Sequence, residues 1–178
     1  MYDVYGLGNA LVDMEYTIED NFLADHGIPK GHMTLVEEPV MDALIDGLDG
    51  HAPTRMSGGS AANTLIAVQG FGASTFYSCK VADDETGRHF LDDLSTAGVA
   101  TNGNAASDTG KSGRCLVLIT PDAERSMNTY LGISSALTRQ ELDEAALSKS
   151  QYFYAEGYMS AADGSREAAL AGLSLIHI

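Results

Sequence analysis

The sequence contains no tryptophan, 2 cysteines, 4 prolines, and 10 lysines and arginines against 25 aspartates and glutamates. Cys79 and Cys115 lie in apolar runs without a CxxC pair, so we expect buried free thiols and no disulfide framework. The net charge of −15 would repel phosphate backbones and anionic lipids, and the few basic residues form no cluster. Neither a nucleic-acid polymer nor a membrane surface is therefore expected as a partner.

Long hydrophobic runs are also absent. No stretch approaches the roughly 18 apolar residues of a membrane span, and the first residues lack the basic and apolar regions of a signal peptide. A cytoplasmic location is the prediction. The 178 residues, with 44% hydrophobic residues and 19 glycines, are typical of one packed α/β domain with many tight turns.

Strand-like and helix-like segments alternate along the chain, which predicts a mostly parallel sheet covered by helices on both faces. The predicted strands are residues 2–7, 74–81 and 151–155, and the predicted helices are residues 20–26, 37–48, 61–69, 86–97, 140–147 and a segment from 163 onwards.

Two further segments do not fit this alternation, and two more are placed as for a hairpin. Residues 12–18 alternate apolar and polar positions, residues 33–36 form a short apolar run, and residues 114–120 and 126–131 flank a turn at Pro121. Residues 12–18 and 33–36 predict a small separate β-sheet that could act as a lid, and residues 114–120 and 126–131 predict a hairpin.

The last residues, 173–178, are nearly uncharged and follow directly on a helix that should still be continuing. We expect a domain over residues 1–172 that is truncated at its C-terminus, followed by an atypical tail that could be foreign.

The first candidate site is Asn9 with Asp13. Gly8 ends the first strand, and ligands of open α/β sheets bind at the carboxyl ends of strands. A carboxylate accepts hydrogen bonds from two neighbouring hydroxyls and an amide both donates and accepts, which suits a vicinal diol such as ribose. The alternative is an asparagine in a turn and an aspartate on the surface.

The second candidate site is Gly58, Gly59 and Asn63. Two glycines between a strand and a helix let a ligand approach the backbone without a Cβ in the way. Ser60 is a suitable N-cap for the helix, and Asn63 would lie in its first turn. The alternative is an ordinary strand-to-helix turn with a capping serine.

Other short stretches resemble known motifs but lack a residue that the motif requires. The dinucleotide-binding fingerprint would need glycine at Leu11, so an oxidoreductase is disfavoured. The sequence 110–112 (GKS) lacks the earlier glycine of a phosphate-binding loop, and 58–62 lacks the last glycine of a nucleophile elbow. The histidines have no metal-ligand spacing.

The stretch GNALVD with Asn9 and Asp13, the stretch RMSGGSAANT and the stretch VADDETG occur here in order. Together they resemble the N-terminal half of the PfkB (ribokinase-like) kinases, over about residues 2–170. Within that family, these stretches are most similar to bacterial adenosine kinase-like members. The resemblance implies a Rossmann-like three-layer α/β/α core with a small β-sheet lid, built from about residues 12–18, 33–36 and part of 101–131. It also implies phosphorylation of a nucleoside or sugar hydroxymethyl group.

By resemblance, Asn9 and Asp13 would hold sugar hydroxyls, and Gly58, Gly59 and Asn63 would line the same pocket. Glu156, at the end of a strand, would face that pocket as well. Arg125 would contact a phosphate, although a simple surface arginine fits the sequence equally well.

ATP and Mg²⁺ are implied as cofactors, mostly bound by a part of the family fold that this chain lacks. The family's catalytic aspartate lies in a GAGD-like segment, which is absent here, so the base is expected beyond residue 178 and the chain itself is expected to be inactive. Adenosine is the first substrate choice, and ribose or another carbohydrate the second. A non-catalytic nucleoside- or sugar-binding module stays open, and exposed lid strands would allow a homodimer.

Overall fold

The computed structural model describes residues 1–48, 50, 52–102, 106–107 and 109–176. Its strands are β1 (Tyr2–Leu7), β2 (Leu11–Thr17), β3 (Met33–Leu35), β4 (Thr54–Gly58), β5 (Thr75–Ser78), β6 (Val81–Ala82), β7 (Ala100–Thr101), β8 (Ala106–Ser107), β9 (Gly113–Ile119), β10 (Arg125–Tyr130) and β11 (Ser150–Ala155). Its α-helices are α1 (Asp20–Asp25), α2 (Glu38–Asp46), α3 (Ser60–Gly70), α4 (Glu85–Thr96), α5 (Glu144–Leu147) and α6 (Asp163–Ile176).

The main sheet has the strand order β11-β1-β5-β7, and each of its strand pairs is parallel. Tyr5 and Leu7 of β1 point to one face, where they pack with residues of α5 and α6, and α3 covers the other face. Helix α3 approaches so closely that a Cβ on Gly6 would collide with Leu65. Helices on both faces of a parallel sheet confirm the three-layer α/β/α core.

The second sheet has the order β3-β10-β9-β2-β4 and mixes parallel and antiparallel pairs. Strand β2 is buried at every second residue, Val12, Met14 and Tyr16, so Asp13 and Glu15 lie on the opposite face. The predicted segments 12–18, 33–36, 114–120 and 126–131 all supply strands of this sheet. Strand β4 was not predicted, because the sequence TRMSG neither alternates nor contains a strongly apolar run.

Two predictions about secondary structure are wrong in part. The predicted strand 74–81 divides into β5 and β6, and β6 pairs with β8 in a separate two-stranded sheet. The predicted helix 140–147 divides into a 3₁₀ turn at Arg139–Glu141 and α5, because Thr138 and Asp143 each cap a new turn with their side chains.

Helix α6 continues through Ile176, and Leu175 and Ile176 pack against the apolar cluster that contains Tyr5 and Leu147. Residues 173–176 of the predicted tail therefore extend the helix without a break. Residues 177–178 lie outside the described residues, and the foreign origin of the tail stays a prediction.

Candidate functional site

Asn9 lies just beyond the carboxyl end of β1 and is fixed by hydrogen bonds from three sides. Its backbone N–H donates to Oε1 of Glu156 at 2.7 Å, and its carbonyl oxygen accepts from the Tyr77 hydroxyl at 3.0 Å. Its side-chain Oδ1 accepts from the Ser134 hydroxyl at 3.3 Å, and the residue is only 7% exposed. Asn9 is thus a rigid point of the strand end rather than a residue in a loose turn.

Gly58 and Gly59 bring the β4–α3 connection against the segment that contains Asn9 and Asp13. Gly59 has φ of +94°, which L side chains rarely adopt, and a Cβ there would lie 2.7 Å from the Asn9 carbonyl oxygen. A Cβ on Gly58 would collide with the Asp13 carboxylate. The two glycines therefore allow a close approach that no other residue type permits, and they join the two candidate sites into one.

The Glu156 carboxylate connects the end of β1 with the first turn of α3. One oxygen accepts from the Asn9 N–H, and the other accepts from the Ser60 hydroxyl at 2.7 Å and the Ala61 N–H at 3.1 Å. Glu156 is 5% exposed, and its negative charge at a helix N-terminus is favourable. Both oxygens are occupied by protein donors, so Glu156 positions the site; its predicted contact with substrate stays a prediction.

The prediction that Ser60 caps α3 is wrong. Gly59 occupies the cap position without a side-chain hydrogen bond, and Ser60 is the first helical residue. The hydroxyl of Ser60 donates to Glu156, a residue 96 positions away, in place of accepting from its own helix.

Asp13 is half-buried on the face of the second sheet that lies opposite the Val12 side. Burial raises the pKa of its carboxyl to about 6, the negative charge of Glu15 adds to this rise, and Arg125 opposes it. Cys115 is its neighbour across the β2–β9 pair, and burial raises the pKa of that thiol to about 11. A partly desolvated carboxylate of this kind binds hydroxyl donors more strongly than one in water.

Asn63 and Arg125 lie at the margin of the site. Asn63 is in the first turn of α3, with an exposed side chain at the same helix end that Glu156 contacts. Arg125 is more than half exposed and forms an ion pair with Glu15. The ion pair places its guanidinium near Asp13, close enough to lower that carboxyl's pKa, and its contact with phosphate stays a prediction.

Two residues that support the candidate site, Ser134 and Tyr77, were not predicted from the sequence. Ser134 accepts from the Ala10 N–H at 2.8 Å and donates to Asn9, and Tyr77 donates to the Asn9 carbonyl; both are fully buried. Tyr77 offered one signal, since a tyrosine in a buried strand normally needs a partner for its hydroxyl. Ser134 lies in a short 3₁₀ turn with no pattern to mark it.

The described residues contain no group of three or more His, Cys, Asp or Glu side chains able to hold a metal ion. The described residues by themselves thus offer no complete set of protein ligands for Mg²⁺, an ion that kinases hold with one or two carboxylates and the substrate phosphates. Within the same part of the chain, no helix is long and apolar enough to cross a membrane.

Comparisons with known proteins agree on one family. The chain is 29% identical to adenosine kinase of Saccharomyces cerevisiae over 161 residues, which are 85% of this chain and 46% of that protein. It is 24% identical to guanosine-inosine kinase of Escherichia coli K12, covering 88% of this chain and 37% of that protein. The solved structure of adenosine kinase from Sinorhizobium meliloti superposes with a TM-score of 0.89 at 33% identity, covering 99% of this chain and 53% of the other.

The chain thus spans about half, or less, of the length of the relatives that it matches. The sequence pattern of the pfkB family carbohydrate kinases matches residues 41–176, which is most of the chain and includes the glycine pair, Asn63 and Glu156. The three-layer core and the second sheet agree with this match, and the chain belongs to the pfkB family of carbohydrate kinases.

Proposed function

We propose that this chain forms the acceptor-binding part of a kinase that phosphorylates the hydroxymethyl group of a nucleoside, adenosine first. One observation carries the proposal: Gly59 lies against the Asn9 carbonyl and Gly58 lies against the Asp13 carboxylate. This contact brings the strand end, the desolvated carboxylate and the N-terminus of α3 together into one polar group. Relatives named adenosine kinase and guanosine-inosine kinase support a purine nucleoside as the acceptor.

In this proposal, the Asp13 carboxylate accepts hydrogen bonds from two ribose hydroxyls, and Asn9 and Asn63 add amide groups. The ribose is then oriented with its hydroxymethyl oxygen toward the donor phosphate. Phosphoryl transfer depends mostly on such positioning and on charge stabilisation. The hydrogen bonds by which Glu156 holds Asn9 and the start of α3 are therefore expected to affect the rate. The reaction would join the hydroxymethyl oxygen to the γ-phosphorus of ATP and release ADP.

ATP and Mg²⁺ are part of the proposal through the family, and the metal would neutralise charge on the phosphates. The catalytic base, an aspartate in a GAGD-like segment, is proposed to lie outside the 178 residues. Arg125 is proposed to approach the transferred phosphate after leaving Glu15. On this basis the 178-residue chain alone would release no ADP.

The decisive experiment is an ADP-release assay of a protein extended to the full length of its relatives, with adenosine, inosine, guanosine, ribose and fructose as acceptors. Adenosine is expected to give the highest kcat/KM, and Asp13→Asn is expected to lower it by at least about 100-fold, the scale of losing a charged hydrogen-bond pair. The 178-residue chain serves as the inactive control. Absence of ADP release with every acceptor would contradict the proposal.

A carbohydrate acceptor is the second candidate, because the matched family is one of carbohydrate kinases. The same panel separates the two, since ribose or fructose would then exceed adenosine in kcat/KM. A non-catalytic binding module predicts instead that adenosine raises the melting temperature of the 178-residue chain while the extended protein releases no ADP. The proposed homodimer through the second sheet is tested by sedimentation of the extended protein and of its Leu35→Lys variant, which places a charge on this exposed residue. A dimer that the variant loses would support this interface.

A further inference from the structure

The second sheet has a cavity on the face that points away from Asp13. The cavity has a volume of about 200 Å³ and lies between strands β2, β4 and β9 and helices α2 and α4. Val12, Met14 and Ile45 form its apolar part, and Arg55, Arg114 and His89 contribute nitrogen donors. Glu85 and Thr86, in the first turn of α4, complete the lining.

Within the part of the chain that the structure describes, the two guanidinium groups in this cavity keep unused donor capacity. Arg55 forms one bond to Glu85 at 2.8 Å, and Arg114 forms one bond to Asp42 at 2.8 Å. A guanidinium carries five N–H donors in a fixed fork that matches a carboxylate or phosphate. The Arg114 side chain is only 15% exposed, and it lies over the Tyr130 ring at 5.8 Å, so its position is fixed before any ligand arrives.

His89 supplies an independent observation at the same cavity. Its Nε2 atom is buried and has no hydrogen-bond partner within the part of the chain that the structure describes. Buried polar atoms of native proteins are nearly always paired, and one that is not calls for a missing partner. The atom is closed off even from a water molecule, so the His89 side chain must shift before a polar atom of a ligand in the cavity can become its partner.

We propose that this cavity binds a small organic monocarboxylate. The carboxylate would sit between Arg55 and Arg114 with one oxygen toward His89, and its apolar body would cover Val12, Met14 and Ile45. The volume accommodates a fragment-sized ligand and excludes a nucleoside, which needs a pocket of at least about 300 Å³.

The charge of the surroundings limits the ligand to a single negative charge. The acidic partners Glu85 and Asp42 already offset part of the positive charge of the two arginines. A dianion such as phosphate is therefore a poorer ligand than a monocarboxylate with an apolar body.

This site is separate from the acceptor site proposed above. Successive residues of β2 point to opposite faces, so Val12 and Met14 line the cavity while Asp13 faces away from it. Adenosine and a monocarboxylate are thus expected to bind at the same time, and the existence of the cavity site does not depend on the kinase function.

The test is isothermal titration of the extended protein with isobutyrate, isobutyramide and inorganic phosphate, each with and without adenosine. We expect saturable binding of isobutyrate with Kd on the order of 1 mM, as for a well-held fragment. Isobutyramide and phosphate are expected to bind at least about tenfold more weakly, because isobutyramide lacks the negative charge and phosphate lacks the apolar body. Adenosine should leave the isobutyrate Kd unchanged.

Two cavity variants and one matched control complete the test. Arg55→Gln and His89→Gln are expected to weaken isobutyrate binding, the first by about tenfold, while Arg139→Gln, an exposed arginine paired with Glu144, leaves it unchanged. Melting temperatures identify any variant that fails to fold. The proposal is overturned by the absence of saturable heat, by equal affinity of the Arg55→Gln protein, by phosphate binding as tightly as isobutyrate, or by competition with adenosine.

Discussion

The Glu156 carboxylate accepts the backbone N–H of Asn9 at 2.7 Å across 147 residues of sequence. The same carboxylate holds the Ser60 hydroxyl and the Ala61 N–H, so one buried charge joins the ends of β1 and β11 to the start of α3. The geometry of the candidate site therefore depends on a residue whose own oxygens are directed at protein donors.

Replacement of Glu156 by Gln is expected to destabilise the fold. One carboxylate oxygen becomes an NH₂ group, which cannot accept a hydrogen bond, so the protein donors that this oxygen now binds lose their acceptor. The loss should be about 1–3 kcal/mol, the cost of leaving a buried donor unpaired. Urea unfolding measures it. Glu167→Gln, an exposed glutamate of α6, is the control and should be neutral. A Glu156→Gln protein as stable as the wild type would show that the three hydrogen bonds are dispensable.

A pair of glycine substitutions separates backbone strain from close approach. Gly59 and Gly72 have nearly equal φ values, +94° and +93°, but only Gly59 has a backbone atom, the Asn9 carbonyl oxygen, in the space of a Cβ. Gly72→Ala should cost about 1–2 kcal/mol from the left-handed backbone alone. Gly59→Ala should cost more and should also weaken nucleoside binding. Equal losses in urea unfolding would contradict the close approach.

Asp13 should make stability fall as the pH rises. The folded-state pKa is raised from 3.8 to about 6, so between these values the folded state holds a proton that the unfolded state has lost. The stability that this proton provides is complete below pH 3.8 and is lost as the pH passes 6. At pH 7, Asp13→Asn should therefore be more stable than the wild type.

Substrate binding should depend on pH in the opposite direction, because only the ionised Asp13 carboxylate accepts two hydroxyl hydrogen bonds. Nucleoside affinity should decline as the pH falls below about 6, the pKa of Asp13. Unfolding free energy and nucleoside affinity, measured from pH 4 to 8 for the wild type and Asp13→Asn, test both statements. Subtracting the values of one protein from those of the other cancels the contribution of the other titrating groups. A stability difference that does not change with pH would contradict the raised pKa.

Neighbouring serines give a matched test of the support beneath Asn9. Ser134 is fully buried and accepts from the Ala10 N–H, whereas Ser135 is exposed and donates to Gly132 within its own turn. Ser134→Ala leaves the Ala10 N–H unpaired and should cost about 1–3 kcal/mol. Ser135→Ala should change the free energy of unfolding by less than about 0.5 kcal/mol. Similar effects of both changes would show that Ser134 does not support the site.

Several local elements could be predicted because the information lies within a few residues. The periodicity of α4, with Phe90 and Leu94 inward, and the turn at Pro121 between β9 and β10 are examples. At the candidate site, the positions of Asn9, Asp13 and the glycine pair near a strand end or before a helix could be predicted as well, whereas their contact with a substrate stays a prediction. Strand β4 could not, because its pairing with β2 rather than its own composition makes it a strand.

The sequence by itself determined the alternation of strands and helices, the buried thiols of Cys79 and Cys115, and the residue types available at the end of β1. Only the tertiary structure decided how those residues are used. Ser60 and Ser134 find their partners 96 and 125 positions away, and the cavity behind β2 exists only where α2 and α4 pack against it. Hydrogen bonds between distant segments depend on how helices and sheets pack, and no local pattern of residue types encodes that arrangement.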